Sequence, residues 1–192
     1  MVYGLSKDNV SKRGKEVSRV VVGRVLEVCN KLKEDRYAVV VGGGEQQKEG
    51  GTMRRNTRIR FNGDVKGMGL GDDIEGGIME IERGSAAACT EAAEEHLDVW
   101  VLLNYSGLDA IKNMPYPPPP SSPPLPNHSY ILPFSLSLIV RSAGEFRLSD
   151  FCLYESSYAE FFVIDKLWPD VDVEDFRDVR EGWRGRRKRV GS

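Results

Sequence analysis

The sequence has few cysteines, and no pairing motif occurs among them. There are three cysteines, an odd number, at Cys29, Cys89 and Cys152, and no two of them form a CxxC pair. Such a set predicts neither a disulfide framework nor a zinc site, and it favours a reducing compartment. The cysteines therefore give no reason to expect a secreted, cross-linked scaffold.

Long hydrophobic runs are also missing. The most apolar stretch, Tyr130 to Val140, is short and is interrupted by Pro133, whereas a membrane-spanning helix needs about 20 apolar residues. The first residues show no basic region followed by an apolar stretch, so we expect no secretory signal. The sequence thus predicts a protein without a membrane span.

The charges are distributed unevenly along the chain. The formal net charge is only -2, yet basic residues crowd the end of the sequence, at Arg177, Arg180, Arg184, Arg186, Arg187, Lys188 and Arg189. Such a tail is either a solvated, poorly ordered end or a binding element for phosphate, nucleic acid or a lipid surface. A nucleic-acid-binding module would interleave aromatic residues with the basic ones, and only Trp183 does so, so we expect no nucleic-acid partner.

The hydrophobic pattern alternates between the strand and helix periods. Short apolar or alternating runs predict strands at Val2 to Ser6, Arg58 to Phe61, Val99 to Leu103 and Leu136 to Val140. Helical spacing predicts two apolar faces, the first formed by Val17, Val21, Val25, Val28 and Leu32 and the second by Ile74, Ile78, Ile81, Cys89 and Leu97. Asp72 or Asp73 is the candidate N-cap of the second helix. This order predicts an α/β fold with a mostly parallel sheet flanked by helices.

The length of 192 residues predicts a single globular domain. Two segments do not suit a compact domain: a Gly-rich stretch at residues 42–53 and a Pro/Ser-rich stretch at residues 115–133. We expect both to be disordered inserts, and we expect residues 177–192 to form a basic tail.

Chemistry-bearing residues follow the last predicted strand. Arg141, Arg147 and Ser149 place two guanidinium groups and a hydroxyl around Gly144, just beyond an apolar run. An arginine fork can bond two phosphate oxygens at once, so this set suits a diphosphate. The alternative is a pair of surface arginines held in salt bridges.

The same region carries a family resemblance. Leu138-Ile-Val-Arg-Ser-Ala-Gly-Glu-Phe-Arg-Leu-Ser-Asp-Phe-Cys-Leu-Tyr154, Ser157-Tyr-Ala-Glu-Phe-Phe162, Asp165-Lys-Leu-Trp-Pro-Asp170 and Glu174-Asp-Phe176 closely resemble the C-terminal signature of the cis-prenyltransferases, the undecaprenyl and dehydrodolichyl diphosphate synthases. Weaker matches fall in the family's order at residues 2–10, 56–64 and 103–109, which resemble its Phe-Ser-x-Glu-Asn-Trp, Arg-x-x-Gly-Asp and Asn-Tyr-Gly-Gly segments.

The resemblance implies condensation of isopentenyl diphosphate with an allylic diphosphate to give a cis-polyprenyl diphosphate, with Mg²⁺ as cofactor. By motif position, Arg141, Arg147 and Ser149 would hold the isopentenyl diphosphate. Glu160 would ligate Mg²⁺, and Asn9 would assist proton removal in the reaction centre. Arg189 and Gly191 resemble an RxG element that reaches a partner's active site, which implies a homodimer or heterodimer.

One family element has no match in the sequence. No Asp-Gly-Asn loop occurs, so we expect the family's first strand, loop and helix to be lacking and the chain alone to have little activity. The alternative is a non-catalytic partner subunit of a heteromeric enzyme, although such a subunit would not need the retained Arg141, Arg147 and Glu160. We expect an intracellular location, in the cytoplasm or at the surface of an organelle or ER membrane, with peripheral membrane association.

Overall fold

The computed structural model describes residues 1–34, 37–41, 51–89, 96–114 and 131–186. The chain divides into two compact units, Met1–Tyr105 (unit 1) and Ser106–Ser192 (unit 2); the single domain stays a prediction. The boundary falls directly after a long buried strand, at the residue before a short helix.

The described elements alternate as the hydrophobic pattern predicted. The strands are β1 (Val2–Ser6), β2 (Tyr37–Val41), β3 (Gly51–Arg55), β4 (Thr57–Asn62), β5 (Leu97–Tyr105), β6 (Leu138–Arg141) and β7 (Glu160–Val163). The helices are α1 (Lys7–Glu34), α2 (Asp72–Ala88), α3 (Gly107–Lys112) and α4 (Val173–Gly185), with 3-10 turns at Lys66–Met68 and Trp168–Asp170. Within the described ranges, no helix is both long and apolar enough to cross a membrane.

Parallel pairing dominates the sheets. Unit 1 contains a three-stranded sheet in the order β1-β5-β4, in which both outer strands run parallel to β5. Unit 2 contains the parallel pair β6-β7, and β2 and β3 form an antiparallel pair. The prediction of an α/β fold with a mostly parallel sheet is therefore confirmed.

The buried face of helix α1 overlaps only in part with the one that the valine spacing predicted: Val21, Val25 and Leu32 pack against the core but are only partly buried. Its buried residues are Ser18, Val22, Leu26 and Cys29, whereas Val17 and Val28 are 46% and 58% exposed. Valines occur on both sides of this helix, so apolar spacing alone could not select the buried side. Burial raises the pKa of the Cys29 thiol to about 11, and none of the three cysteines forms a disulfide bond.

Helix α2 packs its isoleucines as predicted but begins and ends differently. Ile74, Ile78 and Ile81 are buried in the core of unit 1, while Leu97 belongs to β5. The N-cap is Gly71, and Asp72 and Asp73 lie in the first turn, where their charge still interacts favourably with the helix dipole. The Arg19 guanidinium bonds Asp73 and lowers the pKa of that carboxyl group.

The outer strand β4 is covered by side chains of α2. Ser85 Oγ accepts a hydrogen bond from the Ile59 N–H at 3.0 Å, and Glu82 Oε1 accepts one from the Phe61 N–H at 2.8 Å. These side chains satisfy backbone donors that a neighbouring strand would otherwise bond, because β5 is the single partner strand of β4 within the described residues. The sequence signal for this role, a serine on the apolar face of α2, was weak.

Replacing Ser85 with alanine is expected to destabilise the protein by about 1–3 kcal/mol, because the Ile59 N–H would be left buried without an acceptor. The measurement is chemical denaturation of Ser85→Ala. Arg83→Ala on the exposed side of α2 is the control, with an expected change within about 0.5 kcal/mol. Equal stability of both variants and the wild type would contradict this role of Ser85.

Parts of the three segments expected to be inserts or tail fall in elements that the structure describes. Residues 51–53 pair with β2 as part of β3, because both strands exchange backbone hydrogen bonds there. Ile131 and Leu132 are buried in unit 2. Residues 177–185 belong to α4, whose Val179 is buried. The remainder of the predicted inserts and tail, residues 42–50, 115–130 and 187–192, lies outside the described residues.

Candidate diphosphate site

The strands of unit 1 end together, and polar residues follow them. Ser6 lies opposite Tyr105, and Asn62 lies opposite Leu102, so β1, β4 and β5 share one carboxyl edge. Asn9 lies in the first turn of α1, where its backbone N–H donates to Ser6 Oγ at 3.1 Å. In parallel sheets, ligands collect at this edge.

Asn104 and Asp64 form a fixed turn at the same edge. The Asn104 amide nitrogen Nδ2 donates to the Asp64 carbonyl at 2.7 Å, and Asn104 itself is buried with a φ of 49°. Asp64 Oδ1 accepts from the Gly67 N–H at 2.9 Å. The carboxyl end of β4 is thereby held against β5.

Unit 2 carries the predicted arginines on a loop anchored at its start. Arg141 is the last residue of β6, and its carbonyl accepts a hydrogen bond from Ile164 at 2.7 Å. The next turn is bonded to the chain beyond β7: the Ala143 N–H donates to Lys166, and the Gly144 N–H donates to Ile164. These bonds define the base of what we call the diphosphate loop, residues 141–152.

The diphosphate loop concentrates unusual backbone conformations. Four of its non-glycine residues have a positive φ, namely Ala143 at 67°, Ser149 at 50°, Asp150 at 64° and Cys152 at 42°. Left-handed backbone costs an L-residue roughly 1–2 kcal/mol and persists where surrounding contacts enforce it. Several residues with a positive φ within one loop are typical of functional loops.

The two arginines differ in their surroundings. Arg141 is half-buried, and its side chain has no carboxylate partner among the described residues. Arg147 is largely exposed and forms an ion pair with Glu145. An exposed pair of this kind contributes little to stability, so a diphosphate can replace Glu145 at low cost. The salt-bridge alternative therefore describes Arg147 in this structure but does not describe Arg141.

The candidate metal ligand Glu160 lies at the other end of the strand pair from Arg141. In the register, Glu160 is opposite Leu138 and Arg141 is opposite Val163, a backbone offset of about 10 Å at roughly 3.3 Å per residue. Arg186 bonds Glu160 Oε2 at 2.7 Å. Its guanidinium carbon also lies 3.8 Å from the centre of the Phe162 ring, on the same face of β7.

The donor chemistry at Glu160 limits the kind of metal ion that fits. Within the described residues, no three histidine, cysteine, aspartate or glutamate side chains gather as a metal site. One carboxylate can still hold Mg²⁺ when phosphate and water oxygens supply the other ligands. The residues therefore fit an ion that arrives with a diphosphate and do not form a complete protein cage.

A cavity of about 390 Å³ in unit 2 has the wrong charge for a diphosphate. It is lined by Phe162, Val163, Ile164, Asp165, Lys166, Asp175, Asp178 and Val179. Lys166 is bonded to Asp175 at 2.8 Å, and this contact raises the pKa of Lys166 and lowers that of Asp175. Asp165 and Asp178 leave the cavity negatively charged. The diphosphate loop is therefore the better candidate for binding a diphosphate.

The structure groups the predicted site residues within each unit. Unit 1 holds Asn9 at its carboxyl sheet edge, and unit 2 holds Arg141, Arg147 and Ser149 on the diphosphate loop. Arg189 and Gly191 lie outside the described residues. The contact of Arg186 with Glu160 was not foreseen, because the sequence placed Arg186 only in a basic tail.

Comparisons with known proteins agree on one family. Residues 1–191 match the family described as "Putative undecaprenyl diphosphate synthase". The chain is 42% identical over 67 residues to an isoprenyl transferase of Staphylococcus haemolyticus, covering 35% of this chain and 25% of that protein. It is 48% identical over 56 residues to the trans,polycis-polyprenyl diphosphate synthase ((2Z,6E)-farnesyl diphosphate specific) of Thermobifida fusca, covering 29% and 20%.

The fold also matches a solved structure. Lavandulyl diphosphate synthase from Lavandula x intermedia, crystallised with dimethylallyl diphosphate, superposes with a TM-score of 0.68 at 21% identity, covering 99% of this chain and 77% of that one. The matched segment spans about a quarter or less of the length of the curated relatives. The family match nevertheless covers nearly the whole chain, so the chain belongs to the undecaprenyl diphosphate synthase family of prenyltransferases.

Proposed function

We propose that the chain binds isopentenyl diphosphate and condenses it with an allylic diphosphate to extend a cis-polyprenyl diphosphate. The observation that carries this proposal is the half-buried Arg141, which has no carboxylate partner among the described residues and lies at the base of the loop bearing Arg147 and Ser149. A half-buried guanidinium group favours an anionic ligand, because an unpaired charge away from water is costly.

The reaction requires positioning and charge stabilisation and needs no protein nucleophile. The carbon–oxygen bond of the allylic diphosphate breaks as the double bond of isopentenyl diphosphate attacks, and a proton then leaves the new chain. Arg141 and Arg147 would hold the diphosphate of isopentenyl diphosphate by paired N–H donors, and Ser149 would add a hydroxyl donor. Asn9 would lie near the departing proton and assist its removal.

Glu160 would hold Mg²⁺ together with oxygens of the substrate diphosphate. When bound, the ion would supply positive charge that neutralises the diphosphate. Arg186 Nη1 lies 2.7 Å from Glu160 Oε2. Arg186 would have to exchange this bond for another partner when the ion binds, because the same oxygen cannot bind both cations equally well. In the absence of the ligand, Glu160 is thus held in an ion pair with Arg186.

Assembly with a second subunit belongs to the same proposal. Arg189 and Gly191 would reach the diphosphate in a partner's site, as the RxG resemblance implies. A homodimer and a heterodimer are both compatible with this role, and peripheral membrane association stays a prediction.

An incorporation assay tests the proposal. The purified chain is incubated with labelled isopentenyl diphosphate, dimethylallyl or farnesyl diphosphate, and Mg²⁺, and both bound label and extracted products are measured. We expect clear binding but slow transfer, because the sequence contains no Asp-Gly-Asn loop and one lost charge-stabilising contact typically costs roughly 10²–10³ in rate.

The outcomes separate the two candidate functions. Absence of isopentenyl diphosphate binding would contradict the proposal. Binding without any product would instead favour the non-catalytic partner subunit, which the lack of an Asp-Gly-Asn segment supports.

A further inference from the structure

The beginning of α3 is bonded by a residue of the diphosphate loop. The Gly107 N–H donates to the Asp150 carbonyl oxygen at 2.9 Å, and the Leu108 N–H donates to Asp150 Oδ1 at 2.8 Å. Ser106, the N-cap, accepts from the Asp109 N–H at 3.1 Å. Asp150 therefore provides acceptors for the first two backbone donors of α3, which have no partner within the helix.

The contact between the loop and α3 is close. A Cβ atom at Gly107 would lie 2.8 Å from the Asp150 carbonyl oxygen and 2.9 Å from Leu153 Cγ. Real Cβ atoms do not come so near to backbone oxygens, so a side chain at Gly107 would displace the loop. The backbones of the diphosphate loop and of the start of α3 are therefore in close contact.

The same contact supports a costly loop conformation. Ser149 and Asp150 are consecutive residues with a positive φ, at 50° and 64°, and the turn is closed by the Phe151 N–H bonding the Leu148 carbonyl at 3.1 Å. A left-handed backbone is costly for residues that carry a side chain. The two hydrogen bonds to α3 are contacts that offset this cost.

We propose that Asp150 is the positioning residue of the diphosphate loop: by bonding the start of α3 through both its carbonyl and its carboxylate, it fixes the direction of Ser149 and Arg147. The inference rests on the proposed function and adds the residue that preorganises the loop. Ser149 is its direct neighbour and Arg147 lies three positions before it, so release of Asp150 frees both. Preorganisation of this kind reduces the ordering cost of binding.

Three variants test this role. Asp150→Ala removes the side-chain acceptor for Leu108, while Asp150→Asn keeps an oxygen at the same place. Asp172→Ala is the matched control, because Asp172 caps α4 in the same unit by accepting from the Glu174 and Asp175 N–H groups. All three are compared with the wild type in isopentenyl diphosphate affinity and in the rate of trypsin cleavage after Arg147 under native conditions.

Asp150→Ala is expected to bind isopentenyl diphosphate about tenfold more weakly and to be cleaved after Arg147 about tenfold faster, which corresponds to about 1.4 kcal/mol of lost loop order. Asp150→Asn is expected to restore most of both values. Asp172→Ala should melt at a lower temperature and leave both values near those of the wild type.

The inference is overturned if Asp150→Ala matches the wild type in both measurements, or if Asp172→Ala causes the same losses as Asp150→Ala. Failure of the proposed function has a different signature. In that case the wild type does not bind isopentenyl diphosphate, while the cleavage rates still report whether Asp150 orders the loop.

Discussion

Replacing Gly63 with alanine is expected to destabilise the protein by more than about 3 kcal/mol. Gly63 has a φ of 123°, and a Cβ atom there would lie 1.9 Å from the Leu103 carbonyl oxygen. That oxygen belongs to the central strand β5, whose Leu103 is fully buried. The clash therefore cannot be relieved without separating β4 from β5 and breaking the Asn104–Asp64 bond.

Gly76→Ala is the matched control for this prediction. Gly76 lies inside α2, and a Cβ atom there would meet nothing within 4 Å. Alanine should stabilise the helix at that position by roughly 0.5–1 kcal/mol. Thermal and chemical denaturation of both variants measure the difference. A Gly63→Ala protein as stable as the wild type would show that the described approach of β4 to β5 does not occur.

The sequence predicted the order of strands and helices because that order depends on local patterns. Continuous apolar runs such as Val99 to Leu103 are typical of buried parallel strands, and this run lies within β5. The buried side of α1 was predicted only in part, since Val17, Val22 and Val28 are equally apolar but only Val22 is fully buried. Which valines are buried depends on where α2 and the sheet contact the helix.

The pairing of strands from separate segments was not predicted from the sequence. Strands β2 and β3 flank a glycine-rich stretch that reads as a linker by composition, yet their backbones pair from Tyr37–Arg55 to Val41–Gly51. The four residues of β7 were recognised only as part of a family motif. Such short strands carry too little periodicity to be identified alone, and their existence depends on a partner strand.

The site was predicted in part for the same reason. Arg141 follows a buried run, so its place at a strand end could be expected. The partners of the site residues could not be predicted, because they meet only after the chain has folded. Arg186, at the end of α4, contacts Glu160, and Asp150 contacts the start of α3.

Replacing Arg141 with lysine is expected to weaken isopentenyl diphosphate binding by about tenfold or more. The positive charge is kept, but a point-like ammonium group cannot form the bidentate bonds of a guanidinium group. Arg147→Lys should have a smaller effect, because Arg147 is exposed and exchanges one anionic partner, Glu145, for another. Neither change should alter stability by more than about 1 kcal/mol.

Arg177→Lys is the matched control for both substitutions. Arg177 is exposed and pairs with Glu174 on α4, so its replacement should leave isopentenyl diphosphate affinity unchanged. An equal loss of affinity in all three variants would indicate a non-specific effect of arginine removal and would speak against a defined diphosphate site.

Calorimetric titration of isopentenyl diphosphate into the wild type, Arg141→Lys and Arg177→Lys tests the central claim most directly. The account predicts measurable binding by the wild type, the same affinity in Arg177→Lys and a loss of about tenfold or more in Arg141→Lys. Unchanged affinity in Arg141→Lys would contradict the account, because the half-buried guanidinium group would then have no part in binding the diphosphate.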